Sequence, residues 1–100
     1  MIQIEPYGPV MGDETSLYHV HISRPMTVKE FVQGWLSVNR KEWGKFEIRR
    51  EDENIKKERN FWYQHENLND EIPSEILERK IVKVSGSGGW GRSDFYITTE

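Results

Sequence analysis

Between Ser85 and Ile97 the chain reads Ser85-Gly86-Ser87-Gly88-Gly89-Trp90-Gly91-Arg92-Ser93-Asp94-Phe95-Tyr96-Ile97, with four glycines around one tryptophan. Glycine permits positive φ and close approach of the backbone to another group. Three uses follow. Loop amides with Arg92 can grip an anion, the guanidinium acting as a bidentate donor. An exposed Trp90 with Arg92 suits a protein-binding anchor. A wide hairpin or bulged strand can instead fold Trp90 back over the core as a lid. A P-loop is excluded, because it needs a helix after the glycines and a lysine in the loop. Here Ser93 to Thr98 reads as a strand, and the loop contains no lysine. Arg92 and Asp94 are two apart, so on a strand they share a face and can pair.

His19-Val20-His21 presents two imidazoles on one strand face, a spacing that can serve one metal ion. Nothing in the sequence brings His65 or a particular carboxylate beside them, so no metal site is expected. Ser85, Ser87 and Ser93 lie around the glycines, but no Gly-x-Ser-x-Gly elbow opens a helix. Trp62, Tyr63 and Trp90 are rings on which bases could stack in a single-strand binder. The net charge of −3 opposes that reading, since phosphate neutralisation drives such binding. No catalytic residue, cofactor or metal is assigned.

The elements that must position these residues are read from periodicity. Ile2 to Glu5 alternates as a short strand, and Leu17 to Ser23 as a longer one. A helix is predicted from Thr27 to about Val38. Thr27 and Glu30 can form a capping box, and Met26 can staple against Phe31. Val28, Phe31, Val32, Trp35 and Leu36 make one apolar face, and Asn39 is a stop signal. Glu42-Trp43-Gly44 opens a strand over Lys45 to Arg50, with Phe46 and Ile48 inward. Arg49 to Arg59 carries five Lys/Arg against four Asp/Glu, the composition of a solvated hairpin. Asn60 to Gln64 is a further strand. Ile72 to Leu77 reads as one helical turn with Pro73 at its first position. Lys80 to Ser85 and Ser93 to Thr98 are the last strands.

The whole is α+β: one amphipathic helix packed on a mostly antiparallel sheet of five or six strands, in a single domain spanning 1–100. The expected core is Phe31, Trp35, Leu36, Phe46, Ile48, Val82, Val84 and Phe95. Hydrophobic residues make up only 35% of the chain, while aromatics reach 12%. The core must therefore rest on rings, each burying on the order of 150–250 Å². Cysteine is absent, which excludes disulfides, cysteine zinc sites and a thiol nucleophile. Met1 to Pro6 lacks a signal-peptide pattern, and no apolar run approaches the ~18 residues of a membrane span. A cytoplasmic setting is expected.

The Val28-Lys29-Glu30-Phe31 helix start, Glu42-Trp43-Gly44, and Gly88-Gly89-Trp90-Gly91-Arg92 with Asp94-Phe95 together resemble a group of small bacterial proteins of mobile-element or accessory gene sets. That resemblance spans most of the chain and implies a cytoplasmic bacterial or phage-type protein. It brings no catalytic residues. The expectation is a non-enzymatic interaction or regulatory protein with a protein partner, rather than nucleic acid or membrane. Its binding surface is placed on Gly88, Gly89, Trp90, Arg92 and Asp94, with Trp43 beside them. The alternative is an anion- or nucleotide-binding protein, or a small enzyme, using the Gly86–Arg92 loop.

Overall fold

A computed structural model describes residues 2–6, 16–22, 25–37, 42–51, 59–89 and 91–100; for 2–6, 16–22 and Gly89 the description is of the backbone alone. The elements run β1 (Ile2–Pro6), β2 (Ser16–Ile22), α1 (Val28–Ser37), β3 (Trp43–Arg50), β4 (Arg59–Gln64), β5 (Asn67–Leu68), α2 (Ser74–Leu77), β6 (Ile81–Gly89) and β7 (Arg92–Thr99). The fold is α+β, with α1 against a mostly antiparallel sheet. Its strand order is β1-β2-β6-β7-β3-β4-β5. The sheet includes a two-residue strand, β5, beyond the five or six strands expected from sequence.

One neighbouring pair is parallel, β3 with β7, in register from Trp43↔Arg92 to Arg50↔Thr99. The antiparallel pairs on either side make β2 run in the same direction as β3. Helix α1 is thus the crossover between two parallel strands, as such a connection requires. The β6–β7 hairpin fills the gap between them. This insertion brings Arg92 beside Trp43, although 49 positions separate Lys45 from the Asp94 it pairs with.

The capping box forms as read. The Thr27 amide donates to Glu30 Oε1 and the Glu30 amide to Thr27 Oγ1, both at 3.3 Å. These bonds satisfy donors that the first helical turn leaves open. Val28, Phe31, Val32 and Trp35 are buried. Phe31 meets Phe95 edge-on at 5.3 Å and Phe46 at 6.4 Å, and Trp35 meets Phe95 at 4.7 Å. Edge-to-face pairs add about 0.5–1.5 kcal/mol beyond their area. The aromatic core is therefore the contact of α1 with the two central parallel strands.

Two expectations need correcting. Val82 is exposed at 44%. The β6–β7 register shifts between Ile81 and Lys83, so Val82 is the extra residue of a bulge and leaves the alternation that buries Val84. Pro73 is the N-cap of α2 rather than its first helical residue; its carbonyl accepts from Ile76 and Leu77 at 3.0 Å each. Asn39 and Trp90 lie outside the described residues. So does most of the charged segment, 52–58.

Candidate functional site: the open face of the sheet

Alternation along a strand sends successive side chains to opposite faces. On β3, Gly44, Phe46 and Ile48 are buried, Phe46 against Phe31 of α1, while Trp43, Lys45 and Glu47 alternate to the other face. On β4, Phe61 and Tyr63 are buried and Trp62 is exposed. On β7, Arg92, Asp94 and Tyr96 share the face of Trp43 by register. The face away from α1 therefore collects Trp43, Lys45, Glu47, Trp62, Arg92, Asp94 and Tyr96.

Its centre is an ordered aromatic–cation stack. Trp43 and Trp62 lie on adjacent strands, their ring centres 6.2 Å apart and their planes within 24°. The Arg92 guanidinium carbon is 4.7 Å from the Trp43 ring centre and 5.5 Å from that of Trp62. Arg92 Nε donates to both carboxylate oxygens of Asp94, at 3.0 and 2.9 Å. That hydrogen bond raises the Arg92 pKa, against a smaller opposing effect of burial. Asp94 Oδ1 also accepts from the Lys45 amide at 3.1 Å, so this carboxylate bridges β7 to β3. Lys45 Nζ pairs with Glu47 at 3.2 Å and lies 5.8 Å from the centre of the Tyr96 ring. Among the described residues, Arg92 and Lys45 on this face thus each have an acidic partner.

The backbone beneath the stack is fixed from two sides. The Trp43 amide donates to the Gly91 carbonyl at 3.1 Å. Gly91 has φ of 77°, the left-handed region that glycine occupies without penalty. Residues 90 and 91 are the whole connection between the paired Gly89 and Arg92. On the other side, the Trp62 amide donates to Asp70 Oδ2 at 2.9 Å, and the Trp62 carbonyl accepts from the Asn69 and Asp70 amides at 2.9 and 3.2 Å. A shallow depression of about 250 Å³ lies beside the rings, lined by Trp43, Trp62, Tyr63, Gln64 and Asn69.

Of the residues singled out from sequence, Trp43, Arg92 and Asp94 come together. Gly86, Gly88 and Gly89 do not form a loop. They are strand residues of β6, paired with β7, and Gly86 and Gly88 also with β2. Their backbone groups belong to ladders, and Arg92 is held by Asp94, so among the described residues these three glycines form no loop-amide cradle. Gly88 is buried. Trp90 lies outside the described residues, as do the side chains of His19 and His21. Among the described residues, no group of three His, Asp or Glu is placed to hold a metal ion. Ser87 meets the Tyr96 hydroxyl at 3.5 Å on the open face, whereas Ser93 donates to Glu42 Oε2 at 2.7 Å.

Gln64 and Asn69 were missed as site residues, and Trp62 was considered only as a ring for stacking bases, not as the partner of Trp43. The signal for Trp62 was available: in Phe61-Trp62-Tyr63, the two flanking rings belong to one face and Trp62 to the other. No protein-family model matches the chain, and no curated protein or solved structure matches it.

Proposed function

We propose that the protein is a non-enzymatic binding module that holds a polypeptide partner on the open face of its sheet, around Trp43, Trp62 and Arg92. The observation that carries this reading is the exposed Trp43–Trp62 stack topped by Arg92. Tryptophan and arginine are the residue types most enriched among those that dominate binding energy. The rings sit on paired strands rather than on a mobile loop, which limits the side-chain ordering that association requires. The paired charges favour a polypeptide over a polyanion, because a nucleic-acid surface needs cations that replace counterions. A regulatory role in a bacterial cytoplasm, of the accessory type, accords with the resemblance of the Glu42-Trp43-Gly44 and Gly88–Phe95 segments.

A photo-crosslinking side chain placed at Gln64, on the open face, tests this in living cells. A control carries the same group at Lys29, exposed on α1. A discrete adduct from position 64, absent from position 29 and lost in Trp43→Ala/Trp62→Ala, is the expected result. Adducts of the same kind from both positions, or adducts indifferent to the two tryptophans, would refute the reading.

A further inference from the structure

Resting on that reading, we propose that the partner segment on this face is a proline-rich stretch in the polyproline II conformation. Its rings lie on Trp62 and against the exposed part of Trp43 that Arg92 does not cover, and its carbonyls accept hydrogen bonds from the indole N–H groups and the Gln64 and Asn69 carboxamides.

The rim of the depression carries polar groups without partners among the described residues. Gln64 and Asn69 are exposed, and no other described residue engages their carboxamides or either indole N–H. An indole nitrogen is a donor only. The carboxamides both donate and accept while the indoles only donate, so donors are in excess at the rim and favour a ligand with more acceptors than donors. An α-helical ligand does not supply them, because its interior carbonyls are consumed by its own ladder. An added β-strand does supply them but needs an open sheet edge. At Trp62 that edge is closed, since Asn69 and Asp70 take both the amide and the carbonyl. A polyproline II segment has no internal hydrogen bonds, so every carbonyl is available. Proline also lacks an N–H, so seating its ring against an indole buries no orphan donor.

Charge and size agree with this. Arg92 and Lys45 are each paired with a carboxylate, so neither cation of this face calls for an anionic ligand. At about 250 Å³ the depression is smaller than typical small-molecule sites of about 300–1,000 Å³, and shallow enough to take one or two rings of an extended chain.

The test uses the full chain, titrated with a blocked oligoproline peptide, a panel of proline-rich peptides with varied flanks, a Gly-Ser peptide of equal length, and oligothymidylate. The Trp43 and Trp62 indole N–H resonances are followed by NMR. Saturable downfield shifts of both indoles with proline-rich peptides only are expected. Affinity should fall at least about tenfold in Trp62→Ala and measurably in Gln64→Ala/Asn69→Ala, with both variants folded by circular dichroism. Silence from every proline-rich peptide, stronger shifts with oligothymidylate, or binding indifferent to Trp62 would overturn the proposal. The crosslinked partner separates the two levels. If the segment joined to position 64 lacks proline, the ligand class is wrong while polypeptide binding stands. If no adduct depends on Trp43 and Trp62, both fall.

Discussion

The Arg92 guanidinium lies 4.7 Å from the centre of the Trp43 indole, held there by Asp94 two residues along its own strand. The contact exists because β7 enters the sheet parallel to β3 and pairs Arg92 with Trp43 directly. A cation over an exposed ring contributes about 0.5–1 kcal/mol. A double-mutant cycle with Arg92→Ala and Trp43→Ala, read by urea unfolding, should return a coupling of about that size. Arg92→Lys should not restore it, since a lysine lacks the planar fork that Asp94 grips while the flat group covers the ring. A coupling of zero would mean that the stack is incidental to folding.

Gly44 explains the Trp-Gly pair that opens β3. The buried Tyr63 hydroxyl donates to the Ser93 carbonyl at 2.6 Å. A Cβ at position 44 would overlap that carbonyl oxygen and sit 2.9 Å from the Tyr63 oxygen. Gly44→Ala must therefore displace the β3–β7 ladder at the site, destabilising by about 3 kcal/mol. Tyr63→Phe leaves the Ser93 carbonyl without this donor and should cost about 1–2 kcal/mol. The double variant should lose less than the sum, because Gly44→Ala already breaks what Tyr63→Phe removes. Chemical denaturation of the three variants checks it, and strict additivity would contradict the shared mechanism.

Much of this was legible from local pattern. The Thr27–Glu30 box, the α1 stripe and the inward Phe46, Ile48 and Phe95 follow from spacing of three, four or two residues. The same alternation foretold that Arg92 and Asp94 could pair. What was not legible depends on partners distant in sequence. Nothing near β3 or β7 says that they run parallel, so the meeting of Trp43 with Arg92 and the stacking of Trp62 on Trp43 could not be composed from either segment. The bulge that expels Val82 arises from how β6 matches β7, and Lys80 to Ser85 reads as regular alternation without it. The glycines of β6 misled for a related reason: glycine marks close packing within a strand as well as a loop, and only the strand on either side distinguishes them.

His65 has φ of 56° in the turn joining the paired Gln64 and Asn67. A residue with a Cβ is penalised by roughly 1–2 kcal/mol in the left-handed region. His65→Gly should relieve most of that and stabilise the fold by about 1 kcal/mol, while His65→Ala should bring no gain. Thermal unfolding of the pair distinguishes relief of backbone strain from loss of the imidazole. A destabilised His65→Gly would show that the side chain has a compensating role.

The pH dependence centres on Glu75. Its carboxylate accepts from Arg79 at 2.7 and 3.1 Å and from Arg50 at 3.0 Å, tying α2 to the end of β3. The Arg79 hydrogen bond, followed by the Arg79 and Arg50 charges and the Arg50 hydrogen bond, outweighs desolvation and holds the Glu75 pKa below its ordinary value of 4.5. A folded-state pKa below the unfolded one means that the folded chain releases this proton more readily. The stabilisation is therefore complete above pH 4.5 and is lost as pH falls through the depressed folded value. Glu75→Gln should accordingly melt slightly lower than the parent at neutral pH, and the two melting curves should converge in acid. Because the pair is exposed, added salt should also shrink the neutral-pH gap. A gap that persists unchanged below the depressed value would assign the effect to packing of the side chain instead of to its charge.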